Sequence, residues 1–136
     1  MANHEDPFRT ADELLRTVKA RVILVDFHAE ATSEKAALGW YLDGRVTSVI
    51  GTHTHVPTAD QRVLPGGTAY QTDVGMSGPF DSVIGVEKEL VLARFLSGMP
   101  GKFEAAKGDP RMCASLIECD GATGRASSIE RLMLGE

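Results

Sequence analysis

The chain has 136 residues, enough for one modest domain with its own hydrophobic core or for part of a larger domain. Its formal net charge is −5, from 14 lysines and arginines against 19 aspartates and glutamates, which argues against nonspecific binding to nucleic acid or to an anionic membrane. No apolar run approaches the roughly 20 residues that span a bilayer, and the N-terminus lacks the basic and apolar regions of a secretory signal, so we expect a cytoplasmic protein.

The first half of the chain predicts a helix, a strand, a second helix and a second strand. Residues 10–13 fit a capping box that opens a short helix. Residues 22–27 are almost continuously apolar, which is typical of a strand covered on both faces. Residues 33–41 have a helical pattern, and strand character returns at residues 45–52. This β-α-β order favours a right-handed parallel crossover.

The second half predicts a hairpin, a third helix and a final pair of strands. Residues 61–64 and 68–72 flank the turn sequence Pro65-Gly66-Gly67 and indicate the hairpin. Residues 86–97 indicate a helix that ends at Gly98. The residues of this helix expected to reach the core are Leu90, Val91 and Phe95. The last two strands are expected at residues 112–119 and 127–134.

These elements place the chain in the α/β or α+β class. Both cysteines, Cys113 and Cys119, fall in the same predicted strand. Six residues of extended chain separate them by about 20 Å, beyond the roughly 7 Å limit for a disulfide, so we expect free thiols.

Three of the four histidines follow the two predicted strands of the β-α-β unit. His28 comes just after the first strand, and the stretch G-T-H-T-H places His53 and His55 just after the second. Loops at the carboxyl ends of neighbouring parallel strands converge on one crevice, and neutral imidazole is the commonest metal ligand. An isolated H-x-H is often only a polar loop, but His28 in the matching position favours a metal site. His4 lies in a polar segment and is expected to be solvated.

Several nearby residues are candidates to complete or support such a site. Asp26, Glu30, Asp60 and Asp73 are carboxylates close in sequence to the predicted strand ends, where they would coordinate an ion or orient the imidazoles through hydrogen bonds. The loop of residues 73–79, which contains Gly75, would offer backbone amides to a phosphate; an ordinary turn is the alternative.

Three long motifs carry a resemblance to a known family. They are V-D-F-H-A-E-A-T-S-E-K, G-T-H-T-H-V-P-T-A-D and G-T-A-Y-Q-T-D-V-G-M-S-G-P-F-D-S-V-I-G. In order and spacing they resemble the YmdB-type metallophosphoesterases, a branch of the calcineurin-like phosphoesterases linked to 2′,3′-cyclic nucleotide phosphodiesterase activity. The resemblance covers nearly the whole chain, including D-P-F-R-T-A-D near its start and T-G-R-A-S-S-I-E-R-L near its end.

The resemblance implies both a fold and a chemistry. The fold is half of a four-layer αββα metallophosphoesterase sandwich, with a mixed sheet and flanking helices. His28, His53 and His55 correspond to the three histidine ligands of a dinuclear centre that holds two Fe or Mn ions. Such a centre binds phosphate oxygens and lowers the pKa of a bound water for in-line attack on phosphorus. The implied substrate is a phosphodiester such as 2′,3′-cyclic AMP.

The family pattern also contains an N-terminal half that this chain does not match. That half supplies an early Asp, a bridging Glu, Asn ligands and an Asn-His pair whose His assists catalysis. We therefore expect residues 1–136 to form the C-terminal half of the domain, to contain no catalytic general acid, and to be inactive alone. We also expect an exposed apolar surface that favours self-association or docking of a complementing N-terminal half.

Two alternatives to half of a phosphodiesterase are open. The first is a non-catalytic metal-binding or interaction module that docks on a partner subunit. The second is a mononuclear three-histidine hydrolase with one open coordination position.

Overall fold

The computed structural model describes residues 6–135. Three helices and seven strands occur in this part of the chain, and the strands form a four-stranded mixed sheet and a three-stranded antiparallel sheet. The elements in chain order are α1 (Pro7–Thr17), β1 (Leu24–His28), α2 (Thr32–Tyr41), β2 (Ser48–Thr52), β3 (Arg62–Val63), β4 (Ala69–Gln71), β5 (Gly78–Pro79), α3 (Lys88–Ser97), β6 (Pro110–Cys119) and β7 (Ala126–Gly135). This mixed arrangement with flanking helices confirms the predicted fold class.

The larger sheet has the strand order β1-β2-β4-β3. Strands β1 and β2 are parallel, as the β-α-β pattern predicted, and β4 also pairs parallel with β2. Strand β3 pairs antiparallel with β4 in the predicted hairpin. In the first pair, Leu24 lies opposite Ser48 and His28 opposite Thr52. The carboxyl ends of these two strands therefore lie side by side, which positions the residues that follow them.

The smaller sheet has the order β5-β6-β7 and is built mainly from the long β6-β7 hairpin. Strand β7 contacts β3 and β4 of the larger sheet. The Ser115 hydroxyl on β6 donates a hydrogen bond of 2.7 Å to the Gln71 side-chain oxygen on β4. Cys113 and Cys119, both on β6, are free thiols as predicted.

The main hydrophobic core lies between α2 and the larger sheet. Helix α2 contributes Leu38 and is followed by Leu42, and the sheet contributes Val49 and Tyr70, all of them buried. These buried residues are joined by Val46 and Leu64. Helix α1 packs on the margin of this core, and none of its own residues is fully buried.

Helix α1 begins earlier than predicted. Asp6 is its N-cap and accepts a hydrogen bond of 2.9 Å from the Phe8 amide, while Pro7 occupies the first turn. The prediction of a capping box at residues 10–13 was therefore wrong, because Asp-Pro already supplies a capping carboxylate and a preset φ. Within the helix, Asp12 instead accepts hydrogen bonds from Tyr41 and Arg45.

The prediction that the first strand is covered on both faces was also wrong. Strand β1 lies at an edge of its sheet, and its residues alternate between exposed and half-buried. Leu24 is 64% exposed. The apolar run reflects a surface of this chain that residues 6–135 do not cover.

Two further expectations were corrected by the structure. Strand β2 begins at Ser48 rather than at residue 45. Helix α3 begins at Lys88, and its C-cap, Gly98, has the left-handed conformation. Of its residues expected in the core, only Val91 is buried, whereas Phe95 is 82% exposed.

No helix within residues 6–135 has the length and apolar character needed to cross a bilayer.

Candidate metal centre

The parallel register of β1 and β2 brings two of the predicted ligands together. His28 is the last residue of β1 and lies beside Thr52, the last residue of β2, so His53 follows immediately next to it. The Nε2 atom of His28 and the Nδ1 atom of His53 are 3.2 Å apart. Their rings meet edge to face, with centroids separated by 5.1 Å.

A hydrogen-bonded chain behind His28 sets its tautomer. The Thr52 hydroxyl lies 3.1 Å from His28 Nδ1 and 3.3 Å from the Asp26 carboxylate. An ionised carboxylate only accepts, so the hydroxyl donates to Asp26 and accepts from the protonated Nδ1 of His28. Neutral His28 therefore carries its free lone pair on Nε2, the atom that faces His53. Asp26 is thus linked to the ring through Thr52, in a position that fits the predicted orienting role.

His55 is oriented by a different partner. Its Nδ1 lies 2.9 Å from the carbonyl oxygen of Ile84, which can only accept, so Nδ1 carries the proton and neutral His55 has its lone pair on Nε2. Ligand histidines commonly donate their second ring N–H to a carbonyl or carboxylate in this way.

The geometry of the histidine pair fits a metal ion. With metal–nitrogen bonds of about 2.1 Å, two nitrogens that bind one ion at an octahedral or a tetrahedral angle lie roughly 3.0–3.4 Å apart. The separation of His28 Nε2 and His53 Nδ1 falls within this range, and without a metal ion it is that of a hydrogen bond in which His53 Nδ1 donates to His28 Nε2. Within residues 6–135, no group of three or more His, Cys, Asp and Glu side chains is close enough together to hold a metal ion. The described residues thus bring His28 and His53 together, and the ligand roles of all three histidines remain predictions.

The backbone that carries His53 and His55 is unusual. Both residues have positive φ angles, 128° and 66°, in a region that side chains other than glycine rarely occupy. Such conformations persist only where surrounding contacts enforce them, and they are most frequent at functional sites.

Asp73 supplies one of these contacts. Its buried carboxylate accepts hydrogen bonds from the amides of Thr54, at 2.8 Å, and of Gly75, at 2.9 Å. It also forms an ion pair of 3.3 Å with Lys35. Burial by itself raises the pKa of Asp73, but the amide donors and the Lys35 ammonium outweigh it and hold the pKa below its usual value. Asp73 is therefore an anion that fastens the loop between the two histidines.

The other predicted supporting residues take separate positions. Glu30 is exposed in the turn before α2. Asp60 accepts hydrogen bonds from the amide and the hydroxyl of Thr72. Partial burial raises the pKa of Asp60, but hydrogen bonds with the Thr58 side chain and with Thr72 outweigh it and hold the pKa below its usual value. Gly75 has φ 85°, and a Cβ there would lie 2.7 Å from Pro57, so the loop needs glycine for its shape. His4 lies outside the described residues.

Lys35 and Gly51 were not recognised as site residues from the sequence. Lys35 is 1% exposed, and its ammonium donates a hydrogen bond of 3.1 Å to the carbonyl oxygen of Thr52. Gly51 makes room for it, because a Cβ at this position would lie 2.7 Å from Lys35 Cδ. A lysine in an amphipathic helix is normally solvent-exposed, so the only available signal was the glycine within an otherwise apolar strand.

Comparison with known proteins relates the chain to one protein family. The family model described as YmdB-like protein matches residues 1–132. A 2′,3′-cyclic-nucleotide 2′-phosphodiesterase of Bacillus subtilis is 50% identical over 134 residues, which are 97% of this chain and 51% of that protein. The chain thus spans about half the length of this relative.

Two solved structures share the fold. A hypothetical protein from Thermus thermophilus superposes with a TM-score of 0.92 at 53% identity, over 100% of this chain and 53% of that one. A protein of Mycoplasma pneumoniae described as a novel phosphatase gives a TM-score of 0.90 at 42% identity, over 96% of this chain and 47% of that one.

Proposed function

Because the chain belongs to the YmdB-like family, we propose that it contributes half of a dinuclear metal centre that hydrolyses phosphodiesters. In this proposal His28, His53 and His55 are metal ligands, and the general acid and the bridging carboxylate come from outside the chain. The observation that carries it is the pair of imidazole nitrogens 3.2 Å apart, with His28 Nε2 unprotonated. The Bacillus subtilis relative is named as a 2′,3′-cyclic-nucleotide 2′-phosphodiesterase, which supports a cyclic phosphodiester such as 2′,3′-cyclic AMP as the substrate.

The proposed roles of the chain's own residues follow from their hydrogen bonds. Asp26 and Thr52 keep the proton on His28 Nδ1, and the Ile84 carbonyl keeps one on His55 Nδ1, so that each Nε2 is free to bind a metal ion. Two Fe or Mn ions, when bound, would attract phosphate oxygens and activate water for in-line attack. Three neutral imidazoles do not balance the charge of two divalent ions, which is why additional carboxylates are required.

The exposed surface supports a partner for this chain. A cleft of about 620 Å³ lies between α1 and the edge strand β1 and is lined mostly by apolar side chains, among them Leu14, Leu15 and Leu24. Leu14 is 58% and Leu24 is 64% exposed. An uncovered apolar cleft beside an unpaired strand edge favours either self-association or docking of a complementing half. We propose that a complementing half binds at this cleft.

Complementation provides the test. The part of the Bacillus subtilis relative that this chain does not cover would be produced separately and mixed with the chain in the presence of Mn²⁺. We expect hydrolysis of 2′,3′-cyclic AMP by the mixture and little or none by either component alone. His53→Ala, purified in the same way, is the control for contaminating phosphodiesterases and is expected to abolish the activity of the mixture. Hydrolysis by the pure chain alone, lost in His53→Ala, would overturn the half-site proposal.

A non-catalytic docking module is the second candidate, favoured by the lack of a group of three or more metal-binding side chains in residues 6–135. Metal analysis and size-exclusion chromatography of the mixture distinguish the two candidates. Two metal ions per complex support the enzyme, whereas a metal-free complex without hydrolysis supports the module.

A further inference from the structure

Lys35 and Asp73 form a buried ion pair beneath the histidine loop. Both side chains are 1% exposed, and their charged groups are 3.3 Å apart. Lys35 comes from α2, and Asp73 follows β4, so the pair joins a helix to the end of the sheet. Burying two charges is costly, and replacing such a pair by apolar residues is often neutral or stabilising. Stability alone therefore gives a weak reason for a buried pair at this place.

The hydrogen bonds of the pair point to another role. Lys35 also donates to the carbonyl oxygen of Thr52, the residue just before His53. Asp73 accepts from the amide of Thr54, the residue between the two histidines, and from the amide of Gly75. The pair thus fastens the backbone on both sides of His53, where the φ angle of 128° requires external support.

We propose that the Lys35–Asp73 ion pair is a positioning device for His53 and His55, which it aligns for metal binding without touching the metal. The proposal rests on the proposed function, in which these histidines are ligands. Gly51 is part of the device, because only a residue without Cβ lets the Lys35 side chain pass to the end of β2.

The test replaces both charges at once, because removing one partner would leave the other charge buried and unpaired. In Lys35→Met/Asp73→Asn, the amide oxygen of asparagine replaces the two carboxylate oxygens that serve Thr54 and Gly75. The matched control is Arg45→Met/Asp12→Asn, which removes another cation–carboxylate pair at the amino end of β2, away from the histidines in sequence. Asp73→Glu retains the ion pair but displaces the carboxylate from the Thr54 amide, and it replaces the double variant if that variant fails to fold.

Two measurements distinguish positioning from simple structural support. Hydrogen exchange of the metal-free chain reports on the Thr54 and Gly75 amides, and we expect exchange at one or both to become about tenfold faster in the double variant only. Titration with Mn²⁺, at a temperature where circular dichroism shows both proteins to be folded, is expected to show affinity about tenfold weaker than that of the wild type.

The outcomes separate the two proposals. If the wild type binds Mn²⁺ and the double variant binds it equally well, or if Thr54 and Gly75 exchange at wild-type rates, the positioning role is overturned. An equal loss of affinity in the Arg45→Met/Asp12→Asn control would also overturn it. If the wild type binds no Mn²⁺ even with the complementing segment, the proposed function fails, while the exchange rates still decide whether the ion pair holds the loop.

Discussion

At the scale of single residues, the two histidines after β2 combine an exposed ring with a constrained backbone. His53 and His55 have φ angles of 128° and 66°, and each such conformation costs a non-glycine residue about 1–3 kcal/mol. The surrounding hydrogen bonds of Asp73 and Ile84 must offset this cost. Glycine would adopt these φ angles without strain, so histidine at positions 53 and 55 lowers the free energy of unfolding relative to glycine.

The first prediction compares two substitutions of the same histidine. His53→Ala and His53→Gly both remove the imidazole, but only glycine adopts φ 128° without strain. We expect the glycine variant to have a free energy of unfolding higher than that of the alanine variant by about 1 kcal/mol, measured by urea denaturation. The same two substitutions at the exposed Glu30, whose φ is not positive, are the control, and there alanine is expected to equal or exceed glycine. An alanine variant at least as stable as the glycine variant at position 53 would contradict the strain argument.

The position of a candidate site residue was predictable from the sequence where it depends on the order of the strands, and not where it depends on backbone conformation or on burial. His28 and His53 were predicted as neighbours, because parallel strands bring their carboxyl ends together, and they lie 3.2 Å apart. The buried Lys35 and the positive φ angles were not predicted. Both arise from contacts between segments far apart in the sequence, which no local pattern reports.

At the scale of elements, β2 owes its position to the close approach of β4 and of Lys35 on α2. A Cβ on Gly51 would lie 1.8 Å from the carbonyl oxygen of Thr72, a backbone atom that cannot move without displacing the end of β4. The strand end that carries His53 is thus held between the chain after β4 on one side and the side chain of Lys35 on the other.

The second prediction is that Gly51→Ala destabilises the fold severely. Inserting one methyl group into a well-packed core typically costs about 1–3 kcal/mol, and we expect a cost of at least about 3 kcal/mol here, because the obstacle is backbone. Gly78→Ala on β5 is the matched control, since a Cβ at Gly78 meets nothing within 4 Å, and we expect its effect to stay within about 0.5 kcal/mol. Chemical denaturation of both variants provides the measurement. A Gly51→Ala variant as stable as Gly78→Ala would contradict the close approach.

The predicted elements were mostly confirmed, and their errors concern boundaries and burial. The hairpin, α2 and the β6-β7 pair lie where turn residues and periodicity placed them. An apolar pattern, however, does not by itself show which surface of the fold covers it. The continuous apolar run of β1 and the helical apolar positions of α3 produced wrong expectations of burial, because Leu24 and Phe95 are exposed in the structure of residues 6–135.

At the scale of the whole molecule, the exposed apolar residues of the described part of the chain include two surfaces that differ in their position relative to the histidines. One is the cleft of α1 and β1, with Leu14 and Leu24. The other is the outer face of α3, where Phe95 and Leu96 are 82% and 87% exposed. Only the first surface adjoins the sheet edge and the strand that ends in His28, so a segment bound there would lie close to the histidine pair.

The last prediction uses this difference to locate the partner surface. Leu24→Glu places a charge in the apolar cleft, where binding of a partner would have to remove it from water. We expect this variant to bind the separately produced segment of the Bacillus subtilis relative at least about tenfold more weakly than the wild type, measured by calorimetry or analytical ultracentrifugation.

Leu96→Glu on α3 is the control for general effects of a new surface charge, and we expect it to bind the segment as the wild type does. Weakening by Leu96→Glu alone would assign the partner surface to α3, and equal weakening by both substitutions would indicate a general effect of the added charge; either result would contradict docking at the β1 edge. Because Leu24 is exposed in the isolated chain, its replacement is expected to leave the melting temperature nearly unchanged. A selective loss of binding would then show that the apolar sequence of β1 serves the assembly and not the fold of residues 6–135.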